Sequence, residues 1–219
     1  MRILERVAVP ITADPNGIAA AQTLGGAAAV ALNGVSVKAN DGTAAYDIGR
    51  AVLDPPRRVV ITSSGDDTGV DFTIVGTDRM GHRITEVLAG ANAGAATSLN
   101  VFKTIISITS DGATDGDIEV GWGTEFITPW ILLGQMRGHY HWLSRVFIGA
   151  GGTVNYDLEV ASGNVMDLHG DRADDVKAVL SAQTGNVDSQ NDAPYTAVRL
   201  RVNSADVNVT LRVIPSRSS

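Results

Sequence analysis

The sequence contains no cysteine, and this absence removes several chemistries at once. Without thiols there is no disulfide, no thiolate nucleophile and no zinc site with cysteine ligands. A chain of 219 residues does not need such cross-links, because it is long enough to bury one large core or two cores of about 100 residues each. We therefore expect a protein that is stabilised by core packing and assembled in a reducing cytoplasm.

Basic charge and long apolar runs are also scarce. The 17 Lys and Arg residues against 24 Asp and Glu residues give a formal net charge of −7. Binding to nucleic-acid phosphates depends on Lys and Arg displacing counterions, so we expect no nucleic-acid partner. No segment reaches the ~18 uninterrupted apolar residues of a membrane helix, and Met1–Arg6 does not resemble the start of a signal peptide. We expect neither a membrane partner nor export by the signal-peptide route.

Catalytic motifs are missing as well. The chain has no Gly-x-Ser-x-Gly, no Gly-x-x-x-x-Gly-Lys-Ser/Thr and no His-Glu-x-x-His. Gly149–Gly152 stands between two strand-like runs rather than before a helix, so we predict a turn there and not a phosphate loop. The acidic residues are spread through turns, without a pattern that indicates a glycosidase pair. We predict no enzyme activity and no cofactor.

Two segments carry metal-ligating side chains. His139 and His141 would share one face of an extended strand, which suits a divalent metal if a third ligand is supplied. Their alternative role is polar contact among aromatic side chains. Asp111–Asp117 is rich in oxygen ligands but lacks the EF-hand spacing, and Asp and Gly are frequent in turns for backbone reasons. We interpret both segments as structural and predict no metal site.

What the sequence does contain is strand signal. Short runs of Val, Ile and Thr recur about every 10 residues between clusters of Gly, Asn, Asp and Ser, which is typical of β-sandwiches and barrels. Helical spacing is nearly absent, and the only helix-compatible stretch is Trp130–Met136. The pattern predicts strands at Leu4–Ile11, Ala27–Asn33, Arg58–Ser63, Val70–Val75, Arg83–Leu88, Val101–Thr109, Asp117–Gly121, Leu143–Gly149, Thr153–Ala161, Lys177–Ala182, Thr196–Asn203 and Asp206–Ile214.

Two parts of the chain have a similar build. Arg58–Ile61, a turn and Val70–Val75 are echoed by Arg145–Ile148, a turn and Val154–Val160, which we interpret as equivalent hairpins. Each half also closes on a second predicted hairpin. The pattern predicts an all-β protein of two tandem antiparallel β-sandwich domains, of jelly-roll or immunoglobulin-like type. Chance similarity between two halves rich in Val and Ile is the alternative.

The expected organisation has four parts: an extended N-terminal arm at 1–26, a first sandwich at 27–125, an aromatic-rich linker at 126–142 and a second sandwich at 143–219. The linker is suggested by Thr128–Pro129, because proline interrupts strand pairing. The arm is suggested by the turn sequence Asp14–Gly17 and the small residues that follow it. Such a segment either crosses to a neighbour as an edge strand or forms a surface loop.

Aromatic residues make up only 5% of the chain, but seven of the 11 lie between positions 122 and 156. Aromatic side chains supply much of the buried area in cores and interfaces. We interpret the cluster as a seam between the domains or, alternatively, as a surface for another subunit. The candidate subunit interface consists of Trp122, Phe126, Trp130, Tyr140 and Trp142.

Several strand and turn segments together resemble small virion proteins that are encoded among the head and tail genes of tailed bacteriophages, especially short-tailed ones. These segments are Asp14–Ile18, Thr73–Gly90, Asn92–Gly94, Phe102–Ile105, Ile108–Ala113, Val120–Gly121 and Ala197–Val202. The resemblance extends over most of the chain and depends on a pattern of strands and turns, not on catalytic residues.

The resemblance implies a multicopy, non-enzymatic virion component that is assembled in the host cytoplasm. A capsid decoration or cement protein is the first expectation, and a head-to-tail connector or tail component is the alternative. A receptor- or glycan-binding appendage is a third. The clustered aromatics, the Ala-rich N-terminal segment and the open sheet edges predict a homo-oligomer. The resemblance favours a trimer for a decoration protein and implies contact with the major capsid protein or other virion proteins.

Overall fold

The computed structural model describes residues 4–38, 49–133, 140–161, 176–191 and 195–217. The strands in these residues form four antiparallel sheets, which confirms the predicted all-β class. No α-helix is present in these ranges, so they contain no helix that is long and apolar enough to cross a membrane.

The described residues form the following strands: β1 (Leu4–Ala8), β2 (Asp14–Gln22), β3 (Ala51–Arg57), β4 (Val60–Ser63), β5 (Asp71–Thr77), β6 (Arg83–Ala89), β7 (Ala95–Thr97), β8 (Phe102–Ser110), β9 (Ile118–Trp122), β10 (Phe126–Ile127), β11 (Ile131–Leu132), β12 (Tyr140–Ile148), β13 (Val154–Ala161), β14 (Val176–Gln183), β15 (Val187–Asn191), β16 (Ala197–Ala205) and β17 (Val209–Arg217).

The strands belong to two compact units. The continuous segment Thr12–Gly123 forms one of them, which we call the insert unit. The other, the flanking unit, is built from described residues on both sides of that segment, beginning with β1 and resuming at Thr124. This division differs from the expected boundaries, because the chain starts in one unit, completes the other and then returns.

The expected arm and linker both contribute paired strands. In the arm, β1 pairs with β17 and β2 pairs with β9, so 1–26 supplies an edge strand to each unit of its own chain. In the linker, β10 and β11 pair with β16 on either side of Pro129. Proline is compatible with these positions because an edge strand needs hydrogen bonds on one side only.

The two units have the same strand order. In the insert unit, sheet I runs β2-β9-β4-β7 and sheet II runs β3-β8-β5-β6. In the flanking unit, sheet III runs β1-β17-β12-β15 and sheet IV runs β10-β16-β13-β14, with β11 also on β16. If the strands of each unit are counted along the chain, with β10 as the second strand of the flanking unit and the two-residue β11 left out, both units have the order 1-8-3-6 and 2-7-4-5. The similarity in the sequence therefore has a counterpart in the topology.

The equivalent segments are not hairpins, which corrects the sequence interpretation. The two strands of each predicted hairpin lie in different sheets: β4 and β5, β8 and β9, β12 and β13, and β16 and β17. Alternation of apolar and polar residues identifies a strand but does not identify its partner. The turns between these strands cross from one sheet to the other, and they do so at the same places in both units.

Each unit has its own apolar core, with side chains from both of its sheets. In the insert unit, Ile61 and Val120 of sheet I join Phe72 and Ile105 of sheet II. In the flanking unit, Val146 and Leu211 of sheet III join Tyr156, Leu158 and Leu200 of sheet IV. The predicted alternation of β16 is observed, since Val198, Leu200 and Val202 are in the core and the arginines between them are on the opposite face.

Two of the strands that the sequence did not predict, β2 and β3, are irregular sheet edges. β2 contains Pro15 and has two register shifts against β9, and β3 contains Pro55 and Pro56 with one shift against β8. Proline and shifts remove the regular alternation on which strand prediction depends. In contrast, the predicted strand Ala27–Asn33 forms only one isolated bridge, from Ala29 to Thr109.

The irregular part of β2 fits closely against β9 because of a glycine. A Cβ on Gly121 would overlap the carbonyl oxygen of Asp14 and the backbone of Pro15. Trp122, the next residue, packs against Gly17, where a Cβ would overlap the indole ring. The first strand of the insert unit is thus held by its last strand.

Candidate interaction surfaces

Two of the five candidate interface aromatics are core residues of the flanking unit. Trp142 is 3% exposed and Phe126 is 7% exposed, and both belong to the apolar cluster between sheets III and IV. The Trp142 ring also meets Tyr195 edge to face, with 6.5 Å between the ring centroids. Their burial removes them from the subunit surface, because a side chain that is already packed in a core has little area left for a partner.

Trp130 lies on the face of sheet IV that points away from this core. It follows β10 and packs against Ala161 and Ala197. The guanidinium carbon of Arg199 lies 4.2 Å from the ring centroid, a distance typical of a cation–π contact. Trp130 therefore covers the outer face of its own sheet.

Arg199 also belongs to a network of charged side chains on this face. Its Nε donates a hydrogen bond to Glu159 Oε2 over 2.7 Å. Arg201 pairs with Glu125, and its Nη1 lies 3.8 Å from Glu159 Oε1. Arg199 and Glu159 are 3% and 6% exposed, so the pair at the centre of the network is withdrawn from solvent.

Trp122 belongs to the insert unit. Its indole N–H donates a hydrogen bond to the carbonyl oxygen of Thr12 over 3.2 Å, and the Arg57 guanidinium carbon lies 4.6 Å from its ring centroid. Burial lowers the pKa of Arg57, and the carboxylates of Asp54 and Asp14 partly offset this effect. Trp122 thus joins the ends of β2, β3 and β9 within one unit.

The histidine candidates are described only in part. Of Tyr140 and His141, the structure describes the backbone, which pairs with β17, and His139 lies outside the described residues. His82 is placed in the turn after β5, with its Nδ1 3.2 Å from Asp78 Oδ2. Within the described ranges, no group of three or more His, Cys, Asp or Glu side chains is arranged to hold a metal ion.

Two carboxylates of the Asp111–Asp117 loop bind neighbouring segments of the chain. Asp111 Oδ1 accepts a hydrogen bond from Asp71 N over 2.8 Å, and Asp117 Oδ1 accepts one from the Thr23 hydroxyl. These oxygens are occupied by donors of the same chain. Turn formation is a physical reason for the Asp and Gly residues of this loop.

One polar residue that sequence reasoning missed organises the same end of the insert unit. Asp67 is fully buried, and its carboxylate accepts hydrogen bonds from the Ser63 hydroxyl and, over 2.7 Å, from Asp115 N. In the sequence it stands in Asp66–Gly69, which reads as an ordinary exposed turn. Only the closeness of two loops nearly 50 residues apart distinguishes it from Asp66 beside it.

The outer face of sheet II is uncharged along two rows of side chains. One row contains Val87, Thr73 and Thr109, which are opposite one another on β6, β5 and β8. The next row contains Thr85, Val75 and Ser107. The sheet presents methyl and hydroxyl groups here, with Val87 60% exposed. Such a surface suits packing or hydrogen bonding and offers no acid–base or nucleophilic pair.

No family model matches the chain, and neither the curated proteins nor the solved structures provide a significant match. Its function is therefore inferred from its own sequence and geometry.

Proposed function

We propose that the chain is a non-enzymatic structural protein of a bacteriophage particle, built from two jelly-roll domains and present as a capsid decoration or cement protein. The observation that carries the proposal is the strand order 1-8-3-6 and 2-7-4-5, which occurs in both units. Eight antiparallel strands that cross between two sheets in this way form two Greek keys, and viral capsid domains are among the proteins with this architecture.

The strand order also favours the jelly roll over the immunoglobulin-like alternative. In an immunoglobulin fold the first strand pairs with the second, in one sheet. In both units here the first strand pairs with the eighth, as β2 does with β9 and β1 with β17. One jelly roll is inserted after the first strand of the other, so the domains are nested in sequence and not simply in tandem.

The role in a particle is supported by the sequence resemblance and by the chemistry of the described surfaces. Glu159 and Arg199 form an ion pair and Asp111 accepts a hydrogen bond within a turn, while the outer face of sheet II carries uncharged small side chains along two rows. A rigid module of this kind gains affinity through repetition, because many weak contacts on one particle act together. Assembly takes place in the host cytoplasm, and the partner is the major capsid protein or another virion protein.

Counting copies in purified particles tests the proposal. Quantitative mass spectrometry of particles that carry this gene should find on the order of hundreds of copies, as expected for a protein that follows the capsid lattice. About 6 to 12 copies would contradict decoration and favour a ring at the head-to-tail connector or tail. Absence from the particle would reject a virion role altogether. As a direct control, the purified chain should bind isolated capsid shells and not isolated tails.

A further inference from the structure

Strand β6 is an exposed sheet edge that pairs regularly with its neighbour along its whole length. It pairs with β5 over all seven residues, from Asp71 opposite Ala89 to Thr77 opposite Arg83, without a register shift. The strand contains no proline. Its other side is the edge of sheet II.

Most other edge strands carry features that discourage pairing with another chain. Proline, bulges, very short strands and charged residues at inward positions all have this effect. Such features are present in β1 (Arg6 at a core-facing position), β2 (Pro15), β3 (Pro55 and Pro56), β7 (three residues), and β10 and β11 (two residues each).

The flanking unit has a strand equivalent to β6, and its pairing is irregular where that of β6 is regular. It is β14, the fifth strand of its unit and the outer strand of sheet IV. Its pairing with β13 has two register shifts, and Ala182 has a φ of 51°. The same topological position is therefore irregular in one unit and regular in the other.

On the side of β6 away from β5, every second residue has a backbone N–H and C=O group without a partner among the described residues. Asp78 N donates to His82 O and Gly90 N donates to Val70 O, both over 2.9 Å, and these bonds fix which residues of β6 bond to β5. The alternate residues direct their N–H and C=O groups away from β5: Arg83, Thr85, Val87 and Ala89. Within the described ranges, these outward groups form no hydrogen bond. All four residues are exposed.

The one inward charge on β6 does not block the edge. Glu86 has the core-facing orientation, but its two carboxylate oxygens accept hydrogen bonds from Leu99 N and Asn100 N over 2.6 and 2.9 Å. Its charge is thereby held by the connection that follows β7 and does not project along the edge.

We propose that β6 pairs antiparallel with β6 of a second copy, which extends sheet II across a twofold axis. An antiparallel edge is complementary to itself, and a twofold contact uses the same patch on both copies. A twofold axis through Thr85 or Val87 places outward groups opposite outward groups and puts an uncharged residue opposite Glu86. An axis at Glu86 would oppose two like charges, which is unfavourable. The uncharged outer face then continues from one copy to the next.

Because the chain contains no cysteine, an introduced thiol is the only one that can react in a cross-linking test. Thr85→Cys and Val87→Cys each place one thiol on the edge, and Ser181→Cys on β14 is the matched control. Directly opposed residues of a hydrogen-bonded antiparallel pair have Cα atoms about 5.5 Å apart, which is within reach of a short bifunctional thiol reagent. We expect the wild-type chain to have twice its 22.8 kDa mass in solution. One of the two β6 variants should cross-link with this reagent, and Ser181→Cys should not.

Val87→Pro separates pairing from folding. The Val87 N–H points outward, so proline removes a hydrogen bond to the partner while leaving the bonds to β5 intact. This variant should be monomeric with an unchanged circular dichroism spectrum. A monomeric wild type, a Val87→Pro variant that remains dimeric, or equal cross-linking of Ser181→Cys would overturn the proposal. These measurements use the isolated chain, so they are independent of its copy number in a particle.

Discussion

Glu159 and Arg199 form a 2.7 Å ion pair on the outer face of sheet IV, where both side chains are almost completely buried. The two residues are directly opposite each other on β13 and β16. A buried charge is stable only while its partner and hydrogen bonds are present. The pair is therefore sensitive to the loss of one member and much less sensitive to the loss of both.

Arg199→Met should destabilise the flanking unit by about 3 kcal/mol, because it leaves the Glu159 carboxylate buried without its nearest counter-charge. The double variant Glu159→Leu with Arg199→Met should be more stable than this single variant. Urea unfolding of both variants measures the difference. A double variant that loses as much as the sum of the two single losses would show that the pair is not coupled.

We predict that the protein loses stability at alkaline pH because of the raised pKa of Tyr156. Its side chain is fully buried, its hydroxyl donates to Gly185 O over 2.8 Å, and burial raises the pKa of Tyr156 to about 12. An unfolded tyrosine has a pKa near 10, so the folded state holds the proton more tightly. The stabilisation that this pKa difference gives to the folded state is complete below pH 10 and is lost as pH rises from 10 to 12. Its size is on the order of 2 kcal/mol.

The test is the slope of unfolding free energy against pH. In the wild type the free energy of unfolding should fall between pH 10 and 12, and in Tyr156→Phe it should fall less steeply. The Phe variant should start about 1 kcal/mol lower at neutral pH, because it lacks the hydrogen bond to Gly185. Equal slopes for the two proteins would show that Tyr156 titrates normally.

Gly121→Ala should destabilise the insert unit, because the new methyl group overlaps the backbone of Asp14 and Pro15. Overpacking against backbone costs about 1–3 kcal/mol. Gly123→Ala is the matched control, since the nearest atom to its Cβ would be Val60 Cγ2 at 3.9 Å. Calorimetry should show a lower melting temperature for the first variant and little change for the second. Equal shifts would mean that β2 moves aside freely.

Asp67→Ala should loosen the loops at one end of the insert unit. It leaves Asp115 N without its acceptor, at a cost of about 2 kcal/mol, whereas the Ser63 hydroxyl retains the carbonyl oxygen of Gly65 as a second acceptor. Amide hydrogen exchange at Asp115 should accelerate strongly. Asp66→Ala, next in sequence but exposed, should leave this exchange rate unchanged. Continued protection of Asp115 in Asp67→Ala would show that another contact closes the loop.

The segment 12–123 should fold when expressed alone. It is continuous, contains its own apolar core, and has its ends joined where Asp14 pairs with Trp122. Trp122 is its only tryptophan, so fluorescence reports directly on the junction. Cooperative unfolding with a blue-shifted emission in the native state is expected. An unfolded fragment would mean that the insert unit depends on the flanking unit.

The sequence predicted strands well where alternation is regular. The limits predicted for the strands that became β5, β6 and β8 are within about two residues of those observed, because each strand has a clear core-facing side. Partners were not predictable, since the same alternation is compatible with a hairpin or with a crossing between sheets. The pairing of β1 with β17 depends on contacts about 200 residues apart, for which the local sequence provides no signal.

The candidate interface shows a second limit of prediction from sequence. Clustering of aromatic residues along the chain suggested one surface, but the structure gives separate roles to Trp142 in a core, Trp130 on the outer face of sheet IV and Trp122 at the ends of three strands. Nearness in sequence does not determine which face of a strand a side chain occupies. The sequence predicted β6 as a regular strand, but it did not indicate that this strand lies at an exposed sheet edge.

The nesting of the units sets the order in which they are completed during synthesis. The partner of β1 is β17, with Leu4 opposite Val213, so β1 leaves the ribosome long before its partner exists. At about 5–20 residues per second, β1 waits roughly 10–40 seconds, during which the whole insert unit is made. The nascent chain therefore carries β1 without its partner strand while the insert unit is completed. The cell must keep that strand from other partners, and a slowly translated message would lengthen its exposure.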